Sequence, residues 1–208
     1  MTCKNSMPKY KLFYFDSKGR GEPIRLMLHI IGVEFEDIRL SHEEWETNRH
    51  TMPQRRLPVL EVGGITIPQS GAILRYLGRE YGYYGKNNHE STRIDVISGA
   101  VDDMMYLLDR LFYVERVEQA KVVLKQEILS WRLEEFLNVM ENTLTENDGG
   151  GGFFVGDQVS VADVVVYNIV DWMSDLFPDH LSTLPPKMTE FMQRFKDIPN
   201  VNKVLILK

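Results

Sequence analysis

Tyr14 is the residue best placed to do chemistry. It stands near the end of the aromatic, strand-like run Tyr10–Phe15 and is followed by Asp16-Ser17-Lys18-Gly19-Arg20-Gly21-Glu22-Pro23. A strand that breaks through two glycines into a helix start exposes a phenol at the turn. A phenol there can donate one hydrogen bond to an anion, and Arg20 stands beside it. The flanking glycines let the backbone approach a ligand closely. Three further places could hold that anion or the molecule carrying it. Leu57-Pro58 enters the next strand-like run. A cis bond there would leave the Leu57 N–H and C=O to pair with an extended peptide, whereas a trans proline would be an ordinary strand start. Gln69-Ser70 opens an apolar helix whose N-terminus suits a carboxylate, and Ser70 reads equally as its N-cap. Trp45, Arg49, Arg55 and Arg56 cluster in a chain of net charge −6. Arginines beside an indole could grip a carboxylate; the alternative is a solvated basic loop.

The elements that must position these residues follow from periodicity. Tyr10–Phe15 reads as a strand. A helix begins at Pro23, carries Ile24, Leu26, Met27, Leu28, Ile30 and Ile31, and ends at Gly32. Phe35–Leu40 is a second strand and Glu43–His50 a short polar helix or turn. Val59–Val62, Gly63-Gly64 and Ile65–Ile67 form a hairpin. Ser70 caps a helix that runs through Tyr81 to a stop at Gly82. The order is βαβ followed by ββα. From Ser91 onward helical spacing dominates, first through Ile94, Ile97, Val101, Met104, Met105 and Leu108. Further helices are expected at Leu124–Leu144, Val161–Leu176, Met188–Phe195 and Val201–Leu207. Asp148 and Gly149–Gly152 read as a flexible loop. Ser160-Val161-Ala162-Asp163 is a capping box with a structural task. The composition shift at Tyr83–Glu90 divides the chain into residues 8–85 and 91–208.

Bulk properties narrow the function. The chain has 208 residues and 43% hydrophobic content, ample for a core. Its 30 acidic against 24 basic residues argue against a general nucleic-acid or anionic-membrane binder. No apolar run is long enough to span a bilayer, and Met1–Lys9 lacks the apolar segment of a signal peptide. Cys3 is the only cysteine, so neither a disulfide framework nor a cysteine-rich zinc site is available. Asp102 and Asp103 are adjacent on a helix and point about 100° apart, a poor metal pair. A cytoplasmic protein without a metal is expected, and its chemistry does not use its own thiol.

Taken together, these motifs resemble cytosolic glutathione transferases over about Lys9 to Lys203. They are Tyr14-Phe15, Gly19-Arg20-Gly21-Glu22, Glu44-Trp45, Leu57-Pro58-Val59-Leu60, the Gln69–Leu77 segment and Val155–Asp163. The tyrosine, the Trp45 segment and the Asp102-Asp103 pair are most similar to the sigma class, which includes glutathione-dependent prostaglandin D synthases and lens S-crystallins. The resemblance implies an α/β thioredoxin-like N-terminal domain, an all-α C-terminal domain and a homodimer. It implies Tyr14 as donor to the glutathione sulfur, with electrostatic support from Arg20. Trp45 and Arg49, with Arg55 and Arg56 nearby, would hold the glycyl end. Leu57 before a cis Pro58 would pair with the cysteinyl backbone. Gln69 and Ser70 would take the γ-glutamyl carboxylate, and Asp103 of a second subunit its amine. Phe15, Met105 and Ile169 would line an electrophile cleft between the domains. The chain departs from the prostaglandin synthases at Arg110, where they carry a tryptophan, and at Gly99, where they carry an aspartate. Arg49 and Arg56 replace a frequent lysine. Met1–Ser6 reads as an extension. The implied activity is conjugation of glutathione to small hydrophobic electrophiles; a prostaglandin isomerase and a non-catalytic crystallin-like binder are the alternatives.

Overall fold

A computed structural model of the chain describes residues 9–206. The expectations for Cys3 and the Met1–Ser6 extension lie outside them, as does Leu207 of the last expected helix. The chain forms two compact units that divide between Tyr81 and Gly82, a little before the expected Tyr83–Glu90 boundary. The segment from Ile198 that carries the last helix belongs to the first unit rather than to the helical second one.

The first unit carries a four-stranded sheet in the order β2-β1-β3-β4, from β1 (Tyr10–Phe15), β2 (Phe35–Leu40), β3 (Val59–Val62) and β4 (Ile65–Pro68). β1 and β2 are parallel, and β3 is antiparallel to both β1 and β4. The parallel pair needs a crossover, and α1 (Glu22–Ile31) supplies it. Alternation along β1 buries Tyr10, Leu12 and Tyr14 on one face. α1 is buried over Glu22–Leu28 and again at Ile30, so its apolar surface serves as core. Gly32 ends it at φ 78°, donating to the Leu28 and His29 carbonyls. Gly63 and Gly64 have φ of 56° and 85°, the double left-handed turn that a two-residue hairpin requires. α2 (His42–Asn48) and α3 (Ser70–Tyr81) follow in order, and α9 (Pro199–Ile206) packs with α3 against α1.

The second unit is all helical: α4 (Asn88–Asp109), α5 (Glu118–Glu127), α6 (Leu133–Glu146), α7 (Val161–Leu176) and α8 (Pro186–Lys196). The single helix expected over Leu124–Leu144 is α5 and α6 joined by a π-helical turn at Ile128–Arg132. A second π-helical turn, Arg110–Val114, closes α4. α7 is buried continuously from Val161 to Val170, the mark of a central helix. Its N-terminus carries the expected box, with Asp163 reaching back to the Ser160 N–H at 2.8 Å. The glycine run, read from composition as a flexible loop, is hydrogen-bonded by two side chains. Arg194 donates to the carbonyls of Gly152 (2.9 Å) and Gly150 (3.2 Å). Asn147 donates to those of Phe153 and Gly156, each at 2.8 Å. Among the described residues no helix is long and apolar enough to cross a membrane.

Candidate active site

Strand register gathers most of the expected site residues of the first unit at one end of its sheet. Phe13 pairs with Val59 and Val59 with Pro68, so Tyr14, Leu57-Pro58 and Gln69-Ser70 all lie just past the same row of strand ends. Phe15 pairs with Leu40, which brings the β2–α2 connection to that end as well. The ring of Phe15 meets Trp45 edge-on at 5.9 Å between centroids, His42 at 5.3 Å and Tyr14 at 5.6 Å. The Leu57–Pro58 bond is cis.

The Tyr14 side chain is fixed by the turn that follows it. Its hydroxyl oxygen accepts from the Arg20 main-chain N–H at 3.0 Å. Accepting a hydrogen bond polarises the O–H and makes it a stronger donor. The ring occupies the space that side chains would take at Gly19 and Gly21. A Cβ on Gly21 would stand 2.2 Å from ring atom Cδ1, and one on Gly19, at φ 38°, 2.6 Å from the hydroxyl oxygen. Sequence reasoning assigned these glycines to close approach by a ligand; what they admit is the tyrosine itself. The Arg20 main-chain amide thus reaches the Tyr14 oxygen, a contact the sequence does not announce. Gly21→Ala is expected to displace the ring, lowering kcat about tenfold and stability by about 1–3 kcal/mol, the usual range for overpacking. Steady-state rates with urea unfolding check this, and an alanine variant with unaltered kcat would refute the seat.

The backbone is strained at this same end. Gln54, Arg55 and Gln69 have φ of 55°, 49° and 74°, and they are three of the four non-glycine residues in the left-handed region among those described. Such strain concentrates at functional sites. Gln69 is also the true N-cap of α3, because its carbonyl accepts the Ile73 N–H at 3.0 Å. Ser70, expected as the cap, is instead the first helical residue. The Gln69 amide donates to Gln54 Oε1 at 2.5 Å, tying the helix start to the Pro53–Arg55 turn.

Residues 8–79 match the family described as Glutathione S-transferase, N-terminal domain, and residues 102–205 match its C-terminal domain. The chain belongs to the glutathione S-transferase family. Glutathione S-transferase 1 of Ascaris suum is 36% identical over 201 residues, 95% of each chain. S-crystallin 3 of Enteroctopus dofleini is 37% identical over 170 residues, 77% of this chain and 79% of its own. The solved prostaglandin synthase D of Nilaparvata lugens superposes with a TM-score of 0.87 at 31% identity, covering 96% of this chain and 98% of its own.

The other expected residues of this transferase differ in setting. Trp45 is half-buried on α2, and Arg49, Arg55 and Arg56 are exposed. Arg49 pairs with Glu46 at 3.3 Å. In the second unit Asp102 and Asp103 are both exposed on α4. Met105 and Ile169, expected to line a pocket, are core residues at 4% and 0% exposure. Ile169 lies within the continuously buried stretch Val161–Val170 of α7 and leaves no exposed surface. Phe15 is half-buried. Sequence reasoning missed Gln54, which no motif marks. It also missed Arg25, whose signal was a lone charge inside an apolar helix.

Proposed function

We propose that this transferase binds glutathione at the strand ends of its first unit and directs the thiolate onto small hydrophobic electrophiles. We further propose that it acts as a sigma-class-like cytoplasmic homodimer in detoxification. One observation carries the reading: a phenol polarised by a main-chain amide shares a sheet end with a strained helix cap. The N-terminus of α3, with Ser70 and Gln69, suits the γ-glutamyl carboxylate, because its amides and dipole favour negative charge. The main chain of Leu57 suits the cysteinyl unit, and Trp45 with Arg49, Arg55 and Arg56 suits the glycyl carboxylate. Asp103 is offered to the glutathione amine bound by a second copy.

The energetics are adequate. A thiol of pKa about 8.5 is only a few per cent ionised at neutral pH. Lowering it by ~2 units takes about 2.7 kcal/mol of thiolate stabilisation. A hydrogen bond to a charged acceptor contributes roughly 1.5–3 kcal/mol, so one phenol donor nearly suffices.

The likeness to a prostaglandin synthase supports a second reading, glutathione-dependent isomerisation of prostaglandin H. Arg110 and Gly99 weigh against it. The S-crystallin likeness supports a third, a binder without turnover. Calorimetric titration with glutathione, then assays with a generic aromatic electrophile and with prostaglandin H, separates them. Binding with turnover of the aromatic electrophile is the expected result. Binding without any turnover would favour the crystallin-like reading, and prostaglandin D formation alone the isomerase.

A further inference from the structure

We infer that Arg25 is a positioning residue for Tyr14, acting through the turn that joins β1 to α1. The inference rests on the assignment of Tyr14 to the glutathione sulfur. Arg25 lies on α1 with its side chain 3% exposed. A buried guanidinium persists only where its donors are used. Nε donates to both oxygens of Asp37, at 3.1 and 3.0 Å. Nη1 donates to the Ser17 carbonyl at 2.8 Å and to Glu22 Oε2 at 3.2 Å. Nη2 donates to the Phe15 carbonyl at 3.0 Å. The guanidinium carbon stands 5.8 Å from the centroid of the Tyr14 ring.

The choice of acceptors separates this arrangement from a plain buried ion pair. Two are main-chain carbonyls, on either side of Asp16 and immediately after Tyr14. A third belongs to Glu22, where the turn becomes helix. The planar fork therefore grips the turn at both ends, and Asp37 on β2 anchors the fork. Asp37 also accepts from Arg39 Nε at 2.8 Å, and Arg39 holds Asp16 from the solvent side at 2.5 Å. That same hydrogen bond keeps the Asp16 carboxyl below its usual range. The gripped turn carries what seats the phenol, namely the Arg20 N–H and the bare Cα atoms of Gly19 and Gly21. If the turn shifts, the Tyr14 oxygen shifts with it, and a misplacement of ~1 Å at a reacting group can cost about a hundredfold in rate.

A lysine at position 25 keeps the charge but cannot span four acceptors with one ammonium. Arg25→Lys is expected to lower kcat roughly tenfold while changing the KM for glutathione less than about twofold. The pKa of bound glutathione, read from thiolate ultraviolet absorbance, should rise by about one unit, the same tenfold effect seen at equilibrium. In a Tyr14→Phe background the lysine should cost less than about twofold, because the group it positions is gone. Equal losses in both backgrounds, or a loss confined to KM, would overturn the inference. Tyr14→Phe with undiminished kcat would instead remove the assignment beneath it, so the two failures are distinguishable. Asp37→Asn, which removes the anchor's charge and one of its two acceptor oxygens while leaving Arg25 in place, carries the same double-mutant cycle should the lysine variant not fold.

Discussion

Tyr14→Phe is expected to lower kcat at neutral pH by roughly 10- to 100-fold, which is the 1.5–3 kcal/mol of a hydrogen bond to an anion expressed as a rate. Phenylalanine keeps the ring, and with it the fit between Gly19 and Gly21. It removes one oxygen, which accepts from the Arg20 N–H and is proposed to donate to sulfur. The loss should therefore fall on ionisation of the thiol, leaving the KM for glutathione within about twofold. The sign with pH follows. The donor stabilises the thiolate, so without it the bound thiol titrates higher, by about one to two units. The variant should be slowest relative to wild type near pH 6.5 and approach it above about pH 9, where glutathione ionises unaided. A pH–rate profile with an unmoved midpoint would show that Tyr14 does not act on the thiol.

Local signals announced the elements of the first unit and its site motifs. The dipeptide Gly63-Gly64, the stop at Gly32 and the period of β1 each depend on residues a few positions apart, and each is realised with the expected backbone. The purpose of Gly19 and Gly21 is not legible locally, because it is set by a side chain five to seven positions earlier that folds back over them. Arg25 is hidden from sequence patterns for a similar reason. Its acceptors lie 3, 8, 10 and 12 positions away, and one lies on a strand that only the crossover brings near. Ser70 lost the N-cap position to Gln69 through a left-handed backbone that glutamine rarely adopts, which propensity cannot foresee. Ile169 shows the opposite limit. The resemblance implies a lining residue, but Ile169 sits in the stretch of α7, Val161–Val170, that is buried without a break. Gln54 and Gln69 meet across fifteen positions of turn and hairpin, a pairing that no short-range pattern encodes.

In the second unit Asp163 should be worth more to stability than any exposed charge. Its carboxylate is fully buried at the start of α7. Oδ2 accepts the Ser160 N–H at 2.8 Å and the Ser160 hydroxyl at 2.7 Å, and Oδ1 accepts the Phe154 N–H at 2.8 Å. Alanine would leave three buried donors without this acceptor, at about 1–3 kcal/mol each, partly offset by relief of a buried charge. The expected net loss is about 3–5 kcal/mol in urea unfolding. Asparagine can keep the two bonds to Ser160 but turns its NH₂ toward the Phe154 N–H, so it should lose about half as much. Burial pushes the Asp163 carboxyl up to about 6 against the pull of these hydrogen bonds. The folded value lies above the unfolded one, so the folded state holds the proton more tightly. The associated stability is complete below about pH 4 and is lost as pH rises to about 6. At pH 5, one unit below the folded value, wild type should exceed the asparagine variant by roughly 1.4 kcal/mol more than it does at pH 7.5. A gap that stays constant between those two pH values would show that this carboxyl titrates normally and that its hydrogen bonds fully offset its burial.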